Sequence, residues 1–131
     1  MRAIDTNVLV RFVTNDDAAQ AAIVERLFAE CQRNHEHLFI STPVICELVW
    51  VLKNGLRQSK GEIAKVIDSL VEDGLFQIEH RPLVSRALDH YRAGRADFAD
   101  YLIGLLGWHA GCRGTVTFDR ALKGAPGFTI L

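Results

Sequence analysis

Short apolar runs alternate along this chain with longer stretches in which apolar residues return every three or four positions. Five runs read as strands: Arg2 to Asp5, Leu38 to Ser41, Phe76 to Glu79, Gly114 to Phe118 and Phe128 to Leu131. Each is only a few residues long, as expected of a strand covered on both faces. Between them, Ile23, Val24, Leu27, Phe28 and Cys31 form one helical stripe, and Ile63, Val66, Ile67, Leu70 and Val71 form a second. Leu83, Val84, Ala87, Leu88 and Tyr91 follow Pro82, which suits a first helical turn. Tyr101, Leu102, Leu105, Leu106 and His109 make the last long stripe. Thr42 reads as an N-cap and Pro43 as the first helical residue, starting a helix over Pro43 to Lys53 that Asn54-Gly55 stops. Strands alternating with helices predict right-handed crossovers and a mainly parallel sheet with helices on both faces. In such α/β sheets, ligands sit at the carboxyl ends of the strands.

No linker, charge block or repeat interrupts the pattern, so residues 1–131 read as one domain, long enough to bury a core. The apolar content of 49% excludes a disordered chain. Lys and Arg number 15 against 16 Asp and Glu, a net charge of -1. That balance weighs against a protein that coats nucleic acid, but not against one that cuts it at a local site. Three cysteines, Cys31, Cys46 and Cys112, form no CxxC pair, so they read as small core thiols in a reducing cytoplasm. The most apolar stretches carry Glu47 or Asp100, and Asp5 interrupts the N-terminus before any apolar signal segment develops. A soluble cytoplasmic protein without membrane contact is expected. The five histidines lack ligand spacing, and His109 reads as packed or hydrogen-bonded. Trp50 and Trp108 lie in apolar patterns, as residues of the core or of a dimer interface.

Candidate chemistry lies in the acids. Asp5 ends the first predicted strand and Asp119 a later one, so both point toward the working edge of a parallel sheet; either would also serve as a helix cap. Glu47 interrupts Pro43 to Leu52, a segment apolar nearly all round. A helix of that kind is expected to be buried on most sides, where a carboxylate costs several kcal/mol unless paired or bound to metal. A salt bridge or a narrow exposed strip is the structural alternative. Asp97 and Asp100 stand three apart before the last long stripe, where Asp97 can be N-cap and Asp100 can complete a capping box. If Asp5, Glu47, Asp100 and Asp119 gather, their mutual repulsion demands a partner: two like charges about 4 Å apart cost around 4 kcal/mol at an effective dielectric of 20. All-oxygen ligands favour Mg²⁺ or Mn²⁺ over Zn²⁺, and such an ion can activate water and clamp a phosphate.

Asp5-Thr6-Asn7 after a first strand, Glu47 in a Thr-Pro-initiated helix, Asp97-Phe98-Ala99-Asp100-Tyr101-Leu102-Ile103 and Thr117-Phe118-Asp119 together resemble the PIN-domain family. Within it they resemble the VapC-like toxins of toxin–antitoxin pairs. The resemblance spans essentially the whole chain, with the motifs in family order. It implies a three-layer α/β/α sandwich with a mainly parallel central sheet and a Mg²⁺- or Mn²⁺-dependent endoribonuclease. By position, Asp5, Glu47, Asp100 and Asp119 match the acidic, metal-binding set, with Asp97 as an auxiliary acid. Thr6 matches the small hydroxyl residue beside the first Asp. The resemblance further implies an RNA substrate, a homodimer and a cognate VapB-like antitoxin. Gly104, Gly107 and Gly111 depart from the family's alanine-rich packing in the last helix.

Thr6, Asn7 and Thr117 can hydrogen-bond the carboxylates, metal waters or a phosphate, or simply cap turns. Arg95, Arg120 and Lys123 lie next to proposed acids and are the better phosphate contacts among the basic residues, most of which read as solvated helix faces. Two other functions compete with the nuclease. A phosphatase would use Asp5 as covalent nucleophile, but it calls for a second Asp two residues on, where Asn7 stands. A catalytically silent RNA- or cation-binding module would keep the fold without turnover.

Overall fold

The computed structural model describes all 131 residues, which divide into two compact units, Met1–Arg81 and Pro82–Leu131. The first unit begins with β1 (Arg2–Ala3), α1 (Thr6–Thr14) and α2 (Ala18–Arg33). It continues through β2 (Leu38–Ile40), α3 (Thr42–Trp50), a π-helical turn over Val51–Gly55, α4 (Lys60–Glu72) and β3 (Phe76–Ile78). The strands form a parallel three-stranded ladder in the order β1-β2-β3, with Arg2 opposite Leu38, and Leu38 and Ile40 opposite Phe76 and Ile78. Alternation along the pleat sends Leu38, Ile40, Phe76 and Ile78 into the core, where each is at most 2% exposed. Phe28 and Phe76 meet edge to face at 5.6 Å, and Phe12 joins them at 4.9 Å from Phe28. The α2 stripe is narrower than its apolar pattern: Val24, Phe28 and Cys31 are buried, whereas Ile23 is 58% exposed.

The predicted strands are all present, each trimmed at an end. Strand β1 stops at Ala3 because Asp5 leaves the ladder to cap α1. The start of α3 lies one residue earlier than expected, with Ser41 as N-cap and Pro43 in the second helical position. Ser41 makes no side-chain cap; the free Thr42 N–H instead donates to Glu79 Oε2 over 2.7 Å. Asn54-Gly55 does not stop an α-helix directly, since the chain first widens into the π-turn.

The second unit holds most of α5 (Arg81–Ala93), followed by α6 (Phe98–His109), β4 (Thr115–Thr117), a 3₁₀ turn over Arg120–Leu122 and β5 (Phe128–Ile130). Strands β4 and β5 pair in parallel, Thr115 opposite Phe128 and Thr117 opposite Ile130. Every strand pair is therefore parallel, as the helical connections require. By hydrogen bonding they make two ladders, one in each unit. Leu83, Val84, Ala87, Leu88 and Tyr91 of α5 are all buried, and Tyr91 packs edge-on against Phe98 of α6 at 6.2 Å. The glycines of α6 have a packing reason: a Cβ at Gly104 would stand 2.5 Å from the Phe128 ring, so only glycine lets β5 approach this closely. Gly111, at φ +92°, supplies the left-handed residue beyond the helix end. No helix is long and apolar enough to cross a membrane.

Candidate functional site

In the first unit the candidate residues cluster where β1 hands over to α1. Asp5 is extended (φ −87°, ψ 164°), and its Oδ1 accepts the Thr6 N–H at 2.8 Å. Thr6, 5% exposed, sends its hydroxyl the other way: Oγ1 donates to Glu47 Oε2 at 2.9 Å. One buried residue thus spends both its donors on two carboxylates 42 positions apart in sequence. Asp5, Asn7 and Glu47 are themselves exposed. The expected burial of Glu47 is therefore wrong. Helix α3 turns Ile45, Leu48 and Val49 inward and leaves Pro43, Glu47 and Trp50 on an outer strip, so Glu47 carries no interior desolvation cost. An ionised carboxylate on that strip keeps free lone pairs for a cation or water.

In the second unit, the helix-cap and site readings of the acids prove compatible. Asp97 is the N-cap of α6 and Asp100 its third residue, joined in a reciprocal capping box; Asp100 Oδ2 accepts the Asp97 N–H at 3.0 Å. The positive end of the helix dipole stabilises both charges. Asp119 caps the 3₁₀ turn, Oδ1 accepting the Ala121 N–H at 2.9 Å, while its own N–H donates to Thr117 Oγ1 at 3.0 Å. Arg95, Arg120 and Lys123 line one cavity of about 440 Å³. Neither unit by itself brings three His, Cys, Asp or Glu side chains together as a ready-made metal site.

Of the two readings of the tryptophans, the core one fails, since Trp50 and Trp108 are 65% and 62% exposed; a place in a dimer interface is compatible with that exposure. An apolar pattern cannot distinguish a helix face turned into the protein from one left uncovered. The cysteines also differ: Cys31 is buried, Cys46 half-buried and Cys112 exposed, all as free thiols.

The family model of the PIN domain matches residues 3–127. The chain belongs to the PIN domain family. It is also 29% identical over 123 residues to a VapC ribonuclease of Aquifex aeolicus (strain VF5), across 94% of this chain and 90% of that protein. The PIN match takes in residues of both units, from the Asp5-Thr6-Asn7 turn through Asp119. Its α/β fold agrees with the parallel strands and intervening helices.

Proposed function

We propose that this PIN protein is a divalent-metal-dependent endoribonuclease, the toxin of a VapBC-type toxin–antitoxin pair, acting as one domain over residues 1–131. The full-length likeness to a protein named VapC ribonuclease supports the reaction class. The observation that carries the site is Thr6 holding Asp5 and Glu47 through two hydrogen bonds.

Asp5, Glu47, Asp100 and Asp119 are the acids of this reading, with Asp97 auxiliary. Their donors are all carboxylate oxygens, a set that fits Mg²⁺ or Mn²⁺. Such an ion, when bound, supplies the positive charge that activates water and offsets the charge on a phosphodiester. The chain's own contribution is positioning. Thr6 fixes Asp5 and Glu47, the α6 capping box fixes Asp100, and Thr117 together with the 3₁₀ turn fixes Asp119. Arg95, Arg120 and Lys123 bind substrate phosphate, and Asn7 hydrogen-bonds substrate or water. A homodimer, a cognate VapB-like antitoxin and a cytoplasmic setting complete the proposal.

The test is cleavage of labelled total RNA by purified protein in EDTA, Mg²⁺ or Mn²⁺, with Asp5→Asn alongside. Asn also caps helices, so this variant keeps the fold while losing the charge. Metal-dependent fragments absent from Asp5→Asn are expected. Equal cleavage by a folded Asp5→Asn protein would overturn the site, and metal-independent cleavage would overturn the mechanism.

A further inference from the structure

Strands β1, β2 and β3 end side by side. Ala3, Phe39 and Gln77 occupy one row of the ladder, so Asp5, Ser41 and Glu79, two residues on, leave the same carboxyl edge of the sheet. Asp5 turns into α1 and Ser41 into α3, while Glu79 closes the last rung, its N–H donating to Ile40 O at 2.9 Å. The chain then reverses through His80, which lies in the left-handed region at φ +51°. Glu79 is half-buried and stands outside the acidic set.

Its carboxylate nevertheless holds a part of that set in place. Helix α3 begins without a side-chain cap from Ser41, and Pro43 has no N–H to offer. The Thr42 N–H donates to Glu79 Oε2 at 2.7 Å, a charge-assisted bond at the positive end of the helix dipole. Ile45, Leu48 and Val49 bury the inner face of α3, but apolar contact is non-directional and leaves a helix free to tilt on that face. Hydrogen bonds fix what packing leaves loose. Glu79 fixes the start of the helix, and Thr6 Oγ1, 2.9 Å from Glu47 Oε2, fixes its middle. Glu47 lies about 7.5 Å along the axis from Thr42, at 1.5 Å per residue, so a tilt of about 10° about the first turn moves it by about 1 Å. A misplacement of that size costs up to about 100-fold in rate.

We propose that Glu79 is a positioning residue for Glu47: it clamps the start of α3 to the end of β3, so that Glu47 meets the Thr6 hydroxyl. Glu79 itself touches no reacting group and acts through the helix. The consequence for catalysis rests on the ribonuclease reading, whereas the clamp is a property of the fold.

The experiment compares Glu79→Ala, which removes the acceptor, with Glu79→Gln, whose amide oxygen keeps one. Initial rates on labelled total RNA in Mg²⁺ or Mn²⁺ are measured over a range of RNA concentrations. Apparent kcat is expected to fall about tenfold in Glu79→Ala with KM within about twofold, because position and not an RNA contact is lost. Glu79→Gln recovers most of the rate. A second readout needs no activity. Thr6→Val lowers the urea midpoint through the lost bond to Glu47; in a Glu79→Ala background, where that bond is already slack, the drop is expected to be roughly half as large or less. Circular dichroism confirms that each variant is folded. Should Glu79→Ala not fold, Glu79→Asp, which withdraws the carboxylate by one methylene, takes its place under the same criteria. Wild-type kcat in the folded variant, or an equal Thr6→Val drop in both backgrounds, overturns the clamp. Glu79→Gln as slow as Glu79→Ala overturns it too, since charge and not position would then matter, and makes Glu79 an acid of the site. A wild-type protein that cuts no RNA sinks the nuclease reading alone, and the urea midpoints still decide the clamp.

Discussion

Thr6 donates its hydroxyl to Glu47 over 2.9 Å from a position that is almost fully buried, while Glu47 lies on the outer strip of α3. A carboxylate held by a buried donor has one oxygen oriented by the core and the other available to solvent or a cation. This tether joins the first helix of the unit to the third, and it depends on a single Oγ atom.

Thr6→Val removes that atom with almost no change in volume. Because water reaches Glu47 and replaces the lost partner, the expected cost is about 1 kcal/mol, the net contribution of a typical hydrogen bond. The urea midpoint reads it. Cleavage of RNA is expected to fall by much more than this destabilisation implies, with Thr6→Ser recovering both. A Thr6→Val enzyme of full activity would remove Thr6 from the positioning machinery.

Gly104→Ala tests the contact between α6 and β5. The new Cβ meets Phe128 Cζ at 2.5 Å, so the ring or the strand must shift, at about 1–3 kcal/mol for overpacking. Gly107→Ala is the control on the same helix. Its nearest neighbour is the Thr115 hydroxyl at 3.2 Å, which can rotate away, so helix propensity yields up to about 1 kcal/mol of stabilisation. Thermal midpoints moving in opposite directions are expected; two stabilising substitutions would refute the packing of Phe128 on Gly104.

Acid sensitivity has a defined source. Arg2 grips Glu36 through two hydrogen bonds, Nε to Oε1 at 3.2 Å and Nη2 to Oε2 at 2.9 Å. The Arg2 hydrogen bonds hold the Glu36 carboxyl below its ordinary range; desolvation opposes them, and the Arg2 charge and the N-terminal ammonium add to the lowering. The Thr14 hydroxyl lowers Asp16 in the same direction, and the Ser59 capping box lowers Glu62. A carboxyl depressed by folding stabilises the protein above its unfolded pKa, and that contribution disappears as pH falls through the folded value. Stability is therefore expected to decline from about pH 4.5 downward, near the unfolded carboxylate values. Arg2→Met lowers the urea midpoint near neutral pH, and its difference from wild type shrinks at about pH 3 as Glu36 protonates in both proteins. A difference constant with pH would dismiss the ion pair as its cause.

The three thiols form a graded series. Cys112 is exposed; Cys46 is half-buried and burial pushes its thiol pKa up; Cys31 is buried, with Arg2 Nη2 3.1 Å from its sulfur. Since the thiolate is the reactive form, iodoacetamide is expected to label Cys112 first, Cys46 slowly and Cys31 only on unfolding. Mass spectrometry of a time course gives the order, and early labelling of Cys31 would contradict the packing of α2.

Local pattern was enough for much of this. The five strands, the four apolar stripes and the capping geometry of Asp5, Asp97, Asp100 and Asp119 all depend on residues close in sequence, and so does the placement of candidate acids at strand and helix ends. Burial is where the chain read by itself went astray. Whether Glu47, Trp50, Trp108 and Cys112 face the core or water depends on which other elements cover them, and a nearly all-apolar helix holds no record of that. Nor could spacing show that Gly104 answers Phe128, that Glu79 caps α3 in place of Ser41, or that Arg95, Arg120 and Lys123 line one cavity. Those are encounters between residues distant along the chain, decided by how elements pack. The sequence determined the elements and the identity of the acids; the tertiary structure decided which side chains are held, which are exposed, and by what neighbours, because burial and hydrogen bonding are properties of contacts and not of order.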